Sequence, residues 1–358
     1  MSMTVLLLFV LGLVLLVAGA EVLVKGASRL AAGFRISPLV IGLTVVAFGT
    51  SAPEMAVSSG AALAGQGDIA LGNVIGSNIF NVLFILGLAA LIAPLVVSRQ
   101  LIRLDVPLMI GASVLVILLS LDGELGMFDG ALLMASIIGY TIFLVISSRR
   151  TNKPQDADEL GVPDAEHSGS VWVNVALVLG GLAMLVLGAR WLVDGAVAMA
   201  TALGLSERVI ALTIVAAGTS LPEVATSVIA SIRGQRDIAV GNVVGSNLFN
   251  LLAVLGLAGL LSPEGVPVSE AVLRFDMLIM LAVAVACLPI FFSGLRINRW
   301  EGLLFLAYYV VYTTHLVMAA TGSVALGGFQ SAVLFYALPL TALTLLVLMG
   351  QGWREHRR

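Results

Sequence analysis

Two acidic residues sit where acids are expensive. Glu54 and Glu223 each fall inside a long apolar run, at the end of the strings Gly49-Thr50-Ser51-Ala52-Pro53-Glu54 and Gly218-Thr219-Ser220-Leu221-Pro222-Glu223. A charge at the bilayer centre costs at least ~3 kcal/mol, so an acid kept there points to an ion path or a binding site. The residues in front of each acid add oxygen. Proline cannot donate to the carbonyl four residues back, and its ring pushes that carbonyl aside; the glycine loosens the backbone further. Carbonyls near Ala47 to Thr50 are then expected to leave the helix ladder. Thr50 and Glu54 are four apart and share a face. Within a membrane such a break must line a cavity or be buried in protein.

A second pattern answers the first. Asn73, Ser77 and Asn81 recur every four residues, a polar stripe on an otherwise apolar helix, and Asn242, Ser246 and Asn250 repeat it. Beside the stripe, Gly72/Gly76 and Gly241/Gly245 are spaced for close backbone approach. Two broken helices and two striped helices can therefore meet around one pocket of carboxylates, hydroxyls, amide oxygens and carbonyls. Such hard ligands suit Ca2+, which takes six to eight oxygens flexibly, and Na+, but not soft transition metals. Asn78 and Asn247 lie roughly 100° off the stripe and read as packing or capping residues. Asp68 and Asp237 follow Gly-Gln turns and read as helix N-caps. Glu21, whose repeat counterpart is Arg190, reads as interfacial, and His315 as a core or interface histidine.

The elements that position these groups follow from composition. The 358 residues are 59% hydrophobic and 11% charged, with a mean hydropathy of +1.09; a soluble domain carries about 25% charged residues. Apolar runs of ~20 residues, the length that crosses a bilayer as a helix, recur throughout, and the short alternating segments of a β-barrel are not evident. Eleven spans are expected, at 3–24, 38–63, 69–97, 103–121, 128–148, 171–193, 207–232, 237–262, 273–293, 300–320 and 329–350. The first lacks a basic leader and is long, so it reads as a span and not a signal peptide. Cys287 is the single cysteine, which excludes an intrachain disulfide and a thiolate metal site. With the N-terminus outside, 15 of the 18 Lys and Arg fall on the cytoplasmic side, leaving Arg190, Arg208 and Arg274 outside. This bias sets the expected orientation, with the C-terminus cytoplasmic.

The sequence also repeats. Leu43–Gly87 aligned with Leu212–Gly256, a constant offset of 169, gives 28 identities in 45 positions, including both acids, both prolines and both stripes. Weaker echoes pair Arg103-Leu104-Asp105 with Arg274-Phe275-Asp276 and Phe128-Asp129-Gly130 with Trp300-Glu301-Gly302. Each copy holds five spans. Five is odd, so the second copy enters the membrane from the opposite side. The expected fold is an all-α membrane protein: a first five-helix repeat (1–148), a cytoplasmic linker (149–170), a second, inverted repeat (171–320), and an extra span with a basic tail (321–358). Helices broken at the midplane of inverted repeats are a transporter architecture. A channel would show a continuous polar pore, and a hydrolase would need a base near Ser51, where the sequence has no histidine.

With these residues in view, the chain resembles the calcium/cation antiporter superfamily, in particular the prokaryotic sodium/calcium exchangers. The resemblance covers residues 1 to about 320 and rests on Gly-Thr-Ser-x-Pro-Glu paired with Gly-Asn-x-x-Gly-Ser-Asn-x-Phe-Asn, each present twice. The related cation/proton exchanger branch typically carries a Gly-Asn-x-x-Glu element instead. The resemblance implies that Glu54 and Glu223 bind Ca2+ together with the backbone at Thr50 and Thr219. It implies Na+ sites at Ala47, Ser51, Ser77, Ala216, Ser220 and Ser246, and a sliding of the first and sixth spans across a rigid core. Asn250 departs from the pattern: exchangers often carry Asp there, whereas here both Asn81 and Asn250 are amides. The expected activity is Na+/Ca2+ antiport at the plasma (inner) membrane, with Ca2+/H+ antiport as the alternative. No enzyme activity, cofactor, nucleic acid or obligate protein partner is expected; Na+, Ca2+ and the lipid bilayer are the partners.

Overall fold

In hydrocarbon every backbone N–H and C=O needs a partner within the protein, which leaves helices as the economical solution for an open chain. The computed structural model, which describes residues 3–34, 36–151, 170–202, 216–292, 294–341 and 344, is helical almost throughout. Its main helices are α1 Met3–Phe34, α2 Pro38–Thr50, α3 Ala52–Leu63, α4 Gly67–Ile92, α5 Leu101–Asp122, α6 Met127–Thr151, α7 Val171–Ala202, α8 Leu221–Ile232, α9 Arg236–Leu261, α10 Val272–Phe292, α11 Arg299–Thr321 and α12 Leu326–Thr341. Among the described residues, eight are long and apolar enough to cross a membrane, or nine with the bent pair α2–α3 taken as one span. The start of the expected seventh span (207–215), the linker from 152 to 169, and the tail beyond 344 lie outside the described residues.

The first and sixth spans run well past their expected ends at 24 and 193, to Phe34 and Ala202. At 32 residues each, about 48 Å, they exceed a bilayer core. What joins them is a glycine seam. Gly12, Gly19 and Gly26 of α1 and Gly181, Gly188 and Gly195 of α7 each recur every seven residues, at the repeat offset of 169. A Cβ on Gly19 would stand 2.9 Å from the Gly181 carbonyl, and one on Gly181 would stand 2.8 Å from that of Gly19. Gly12 and Gly188 face each other in the same way, at 2.8 Å in both directions. At these two crossings backbone lies on backbone and no side chain fits between the helices, whereas Phe9 packs on Gly195 and Leu177 on Gly26. Near the middle of α1, Glu21 pairs with Arg233, at the C-terminus of α8.

Two small strand pairs join the repeats. β1 (Leu95–Val96) runs antiparallel to β4 (Arg296–Ile297), and β2 (Glu124–Leu125) to β3 (Val266–Pro267). Each pair links a loop of one copy to a loop of the other and places both on one side of the membrane. That is the pairing an alternating span order requires. Ser37 N–H donating to Ser148 Oγ at 3.1 Å ties the start of α2 to the end of α6 on a common side as well.

Several helices widen locally to i→i+5 hydrogen bonding: Gly42–Val46, Asn81–Leu86, Leu101–Asp105, Asn250–Val254 and Val272–Asp276. Such bulges are rare and cluster at functional sites; here the second with the fourth and the third with the fifth are repeat mates. The third and fifth end on an aspartate. Asp105, fully buried, accepts the Tyr140 hydroxyl at 3.0 Å and the Gln100 amide at 3.2 Å. Asp276, half-buried, accepts the Tyr312 hydroxyl at 3.1 Å. Each pair pins one span to the next. Tyr140→Phe is therefore expected to destabilise the protein by about 1–3 kcal/mol, because it strips a donor from a buried acid. Tyr312→Phe should cost less, since Asp276 is only half-buried. Melting of both variants in detergent checks this; equal losses would contradict it.

Asp68 and Asp237 are not caps, contrary to the sequence reading. Their helices open with Gln66 and Gln235 at the cap position, and the acids stand in the first turn. There they still complement the positive end of the helix dipole.

Candidate cation-binding site

The break in the second span is built by its own sequence. α2 ends at Thr50, α3 begins at Ala52, and the two axes meet at 46°. Ser51 forms the corner, with φ −78° and ψ 5°. Pro53 falls in the first turn of α3, where a missing N–H costs nothing. Ser220 makes the same corner in the second copy, φ −88° and ψ 8°, before Pro222. Glu54 and Glu223 consequently sit in the first turns of α3 and α8, where the helix dipole favours negative charge. Both are buried, at 0% and 1% exposure. The Ala47 carbonyl is not left bare as expected: it accepts the Ser51 N–H at 3.0 Å, and the Thr50 hydroxyl lies 3.3 Å away. Its counterpart Ala216 opens the short helical turn Ala216–Gly218 ahead of Thr219.

The two corners exchange hydrogen bonds. Ser220 Oγ donates to Glu54 Oε1 at 2.7 Å, and Ser51 Oγ donates to Glu223 Oε1 at 3.2 Å. Ser51 stands three residues before Glu54, and Ser220 three before Glu223, so this crossing brings both carboxylates into one buried space. Ser77 Oγ lies 3.2 Å from Ser220 Oγ, and Ser246 Oγ lies 3.4 Å from Thr50 Oγ1.

The stripe divides its work. Asn73 and Asn242 hold the broken helices in place. Asn242 Nδ2 donates to Ser227 Oγ at 3.0 Å, and its Oδ1 accepts the Thr50 hydroxyl at 3.1 Å. Asn73 does the same with Ser58, at 3.0 Å, and with Thr219, at 3.4 Å. Sequence reasoning missed Ser58 and Ser227, although they match at the repeat offset. Thr50 and Asn242 are fully buried, whereas Thr219 and Asn73 are half-buried. The two halves of the site thus differ in access.

Asn81 and Asn250 open the π-bulges of α4 and α9. Asn81 Nδ2 donates to Asn247 Oδ1 at 3.0 Å, while its Oδ1 has no partner; both polar atoms of Asn250 lack one. Asn247 and Asn78 lie off the stripe, and Asn78 Oδ1, like that of Asn81, is buried without a partner. Their amides reach the sulfurs of Met109 (3.5 Å) and Met280 (3.8 Å) on the neighbouring spans.

What remains is a set of unmatched oxygens. Glu54 Oε2, Glu223 Oε2, Asn81 Oδ1 and Asn250 Oδ1 are all buried with no hydrogen-bond donor. Among the described residues no Lys or Arg pairs with either glutamate. Buried acids without a cationic partner are strongly disfavoured. A cation held by these oxygens would meet that need, and the donor set is all oxygen.

Comparison with known proteins points the same way. Residues 4–147 and 173–318 match the sodium/calcium exchanger protein family. CaxA of Alkalimonas amylolytica is 41% identical over 320 residues, covering 87% of this chain and 98% of its own. The sodium/calcium exchanger MaX1 of Methanosarcina acetivorans is 34% identical over 339 residues, 86% of this chain and 96% of its own. The structure superimposes on that of the sodium-calcium exchanger NCX_Mj with a TM-score of 0.74 and 32% identity, over 87% of this chain and 98% of that one.

Proposed function

This chain belongs to the sodium/calcium exchanger protein family, and from that premise we propose that it exchanges Na+ for Ca2+ across the cell's plasma (inner) membrane by alternating access. The family consists of membrane antiporters, not enzymes. The observation that carries the finer reading is the pair of buried glutamates, each bonded to the other repeat's serine and each left with one bare oxygen. In this reading Glu54 and Glu223 hold Ca2+ with the backbone at Thr50 and Thr219 and the amide oxygens of Asn81 and Asn250. Na+ takes positions at Ala47, Ser51, Ser77 and at Ala216, Ser220, Ser246. Two carboxylates neutralise one Ca2+, and three Na+ leave a single positive charge; a pocket with bare carboxylates is penalised. Empty crossing is thereby discouraged, and exchange is enforced.

Alternating access needs a pocket open to one side at a time. Asn73 and Thr219 are half-buried and Asn242 and Thr50 closed. Asn73 lies near the β2–β3 end of α4, and the bias of Lys and Arg assigns that side to the exterior. The glycine seam makes α1 and α7 the natural moving unit, since neither helix can shift without the other.

The test is Ca2+ flux into proteoliposomes with Na+, K+ and pH gradients imposed independently. Na+-dependent, pH-independent flux is expected; flux driven by pH alone would replace Na+ with H+. If three Na+ move per Ca2+, an imposed potential must change the rate, with ~2.3 kcal/mol per net charge per 100 mV. Potential-independent flux would instead mean an electroneutral exchange.

A further inference from the structure

Between α10, α11 and α12 lies a cavity of about 640 Å3. Its walls are apolar, set by Ala282, Ala286, Ile290, Leu304, Val333 and Leu338. Its charged or amide-bearing residues and its histidine gather at one end: Arg274 in the first turn of α10, His315 near the last turn of α11, and Gln330 early in α12, while the deeper hydroxyls of Tyr308 and Thr341 lie against each other. Lower down, the Tyr308 hydroxyl donates to the Ala337 carbonyl at 3.1 Å and fastens α12 to α11.

We propose that this cavity is a phospholipid site, with an acyl chain between the three helices and the phosphate at Arg274 and His315. The dimensions fit. From Arg274 to Ile290 is sixteen residues of helix, about 24 Å, so the groove runs from headgroup level past the ~15 Å depth of one leaflet. Polarity is graded along it, with donors at the rim and hydrocarbon below. Arg274 does pair with Glu270, at 2.7 Å, but both side chains are mostly exposed, at 77% and 73%. Such a pair contributes little, and the guanidinium keeps further donors for a phosphate. The Phe275 ring, 4.4 Å from the His315 ring, holds the imidazole at the rim. In the register that pairs Tyr140 with Tyr312, His315 takes the place of Phe143. The donor is present only in the copy that is followed by an extra helix.

Native mass spectrometry of the detergent-purified chain tests this. Phosphatidylglycerol and a diacylglycerol of the same chains are added separately. Wild type should retain one phosphatidylglycerol per chain. Ala286→Trp and Ala282→Trp fill the groove and should lose it; Ala282 lies at the open face, so that variant spares the packed core. Arg274→Ala with His315→Ala should reduce phosphatidylglycerol retention by about tenfold, one charge-assisted contact, and leave diacylglycerol retention unchanged. No retention by wild type, or equal retention by both monodisperse tryptophan variants, would overturn the site. Unchanged retention by the double variant would overturn the placement of the phosphate.

Discussion

Glu54→Gln and Glu223→Gln should each cut Ca2+ flux by more than about a hundredfold while the protein stays folded and inserted. Each substitution removes half the charge available to a divalent ion in a site that holds no basic side chain among the described residues. Removing one partner from a buried charge pair costs about 3–5 kcal/mol, and each 1.4 kcal/mol is tenfold in affinity. The shape survives: a glutamine oxygen at position 54 still accepts the Ser220 hydroxyl, and one at 223 that of Ser51. Stability in the absence of ions should stay level or rise, because a bare buried carboxylate has been neutralised. The measurements are initial Ca2+ uptake into proteoliposomes and melting in ion-free buffer. Normal uptake in both variants would remove the two glutamates from the site, and a collapse of melting temperature would show that they serve structure instead.

Much of this site is legible in the sequence because the repeat doubles it. A proline one residue before an acid in an apolar run marks a break and a ligand, and seeing it twice at one offset identifies the pocket. The limits are physical. That Ser51 bonds Glu223, and not its own repeat's Glu54, depends on how inverted copies interlock, over a separation of 172 residues. The π-bulges that begin at Asn81 and Asn250 have no compositional signature, since they change only which carbonyl an N–H reaches. Other features carried a signal. The glycines at 12, 19 and 26 recur at 181, 188 and 195, and Tyr140 and Tyr312 follow the echo that pairs Phe128-Asp129-Gly130 with Trp300-Glu301-Gly302. The helix ends at Phe34 and Ala202 were harder to place, because α1 and α7 continue beyond the hydrocarbon thickness while remaining apolar enough to pack together.

Asn250→Asp should make Ca2+ binding depend on pH in a way the wild type does not. The side chain of Asn250 is fully buried and neither of its polar atoms has a partner. Replacing the amide with a carboxyl therefore breaks no bond, so melting should stay close to wild type at acid pH, where the introduced group is neutral, and should fall in ion-free buffer as rising pH favours a bare buried carboxylate. It raises the greatest charge of the site from −2 to −3. Three carboxylates in one buried space cannot all be charged without a cation, so protons and Ca2+ compete for the third. At acid pH the introduced carboxyl is neutral and resembles the original amide, so the variant should match wild type. As pH rises, Ca2+ displaces one proton more than before, and by linkage the apparent affinity should climb relative to wild type by up to about tenfold per pH unit. Asn81→Asp is not its equal, despite the repeat. Asn81 Nδ2 donates to Asn247 Oδ1 at 3.0 Å, so an aspartate there sets two acceptors face to face. That variant should show the same pH dependence together with a loss of about 1–3 kcal/mol in stability. Flux titrated with Ca2+ between roughly pH 6 and 9, with melting alongside, separates the two. Parallel pH profiles in wild type and both variants would mean that these asparagines do not face the ions, and the stripe would then be a packing feature from Asn73 to Asn81.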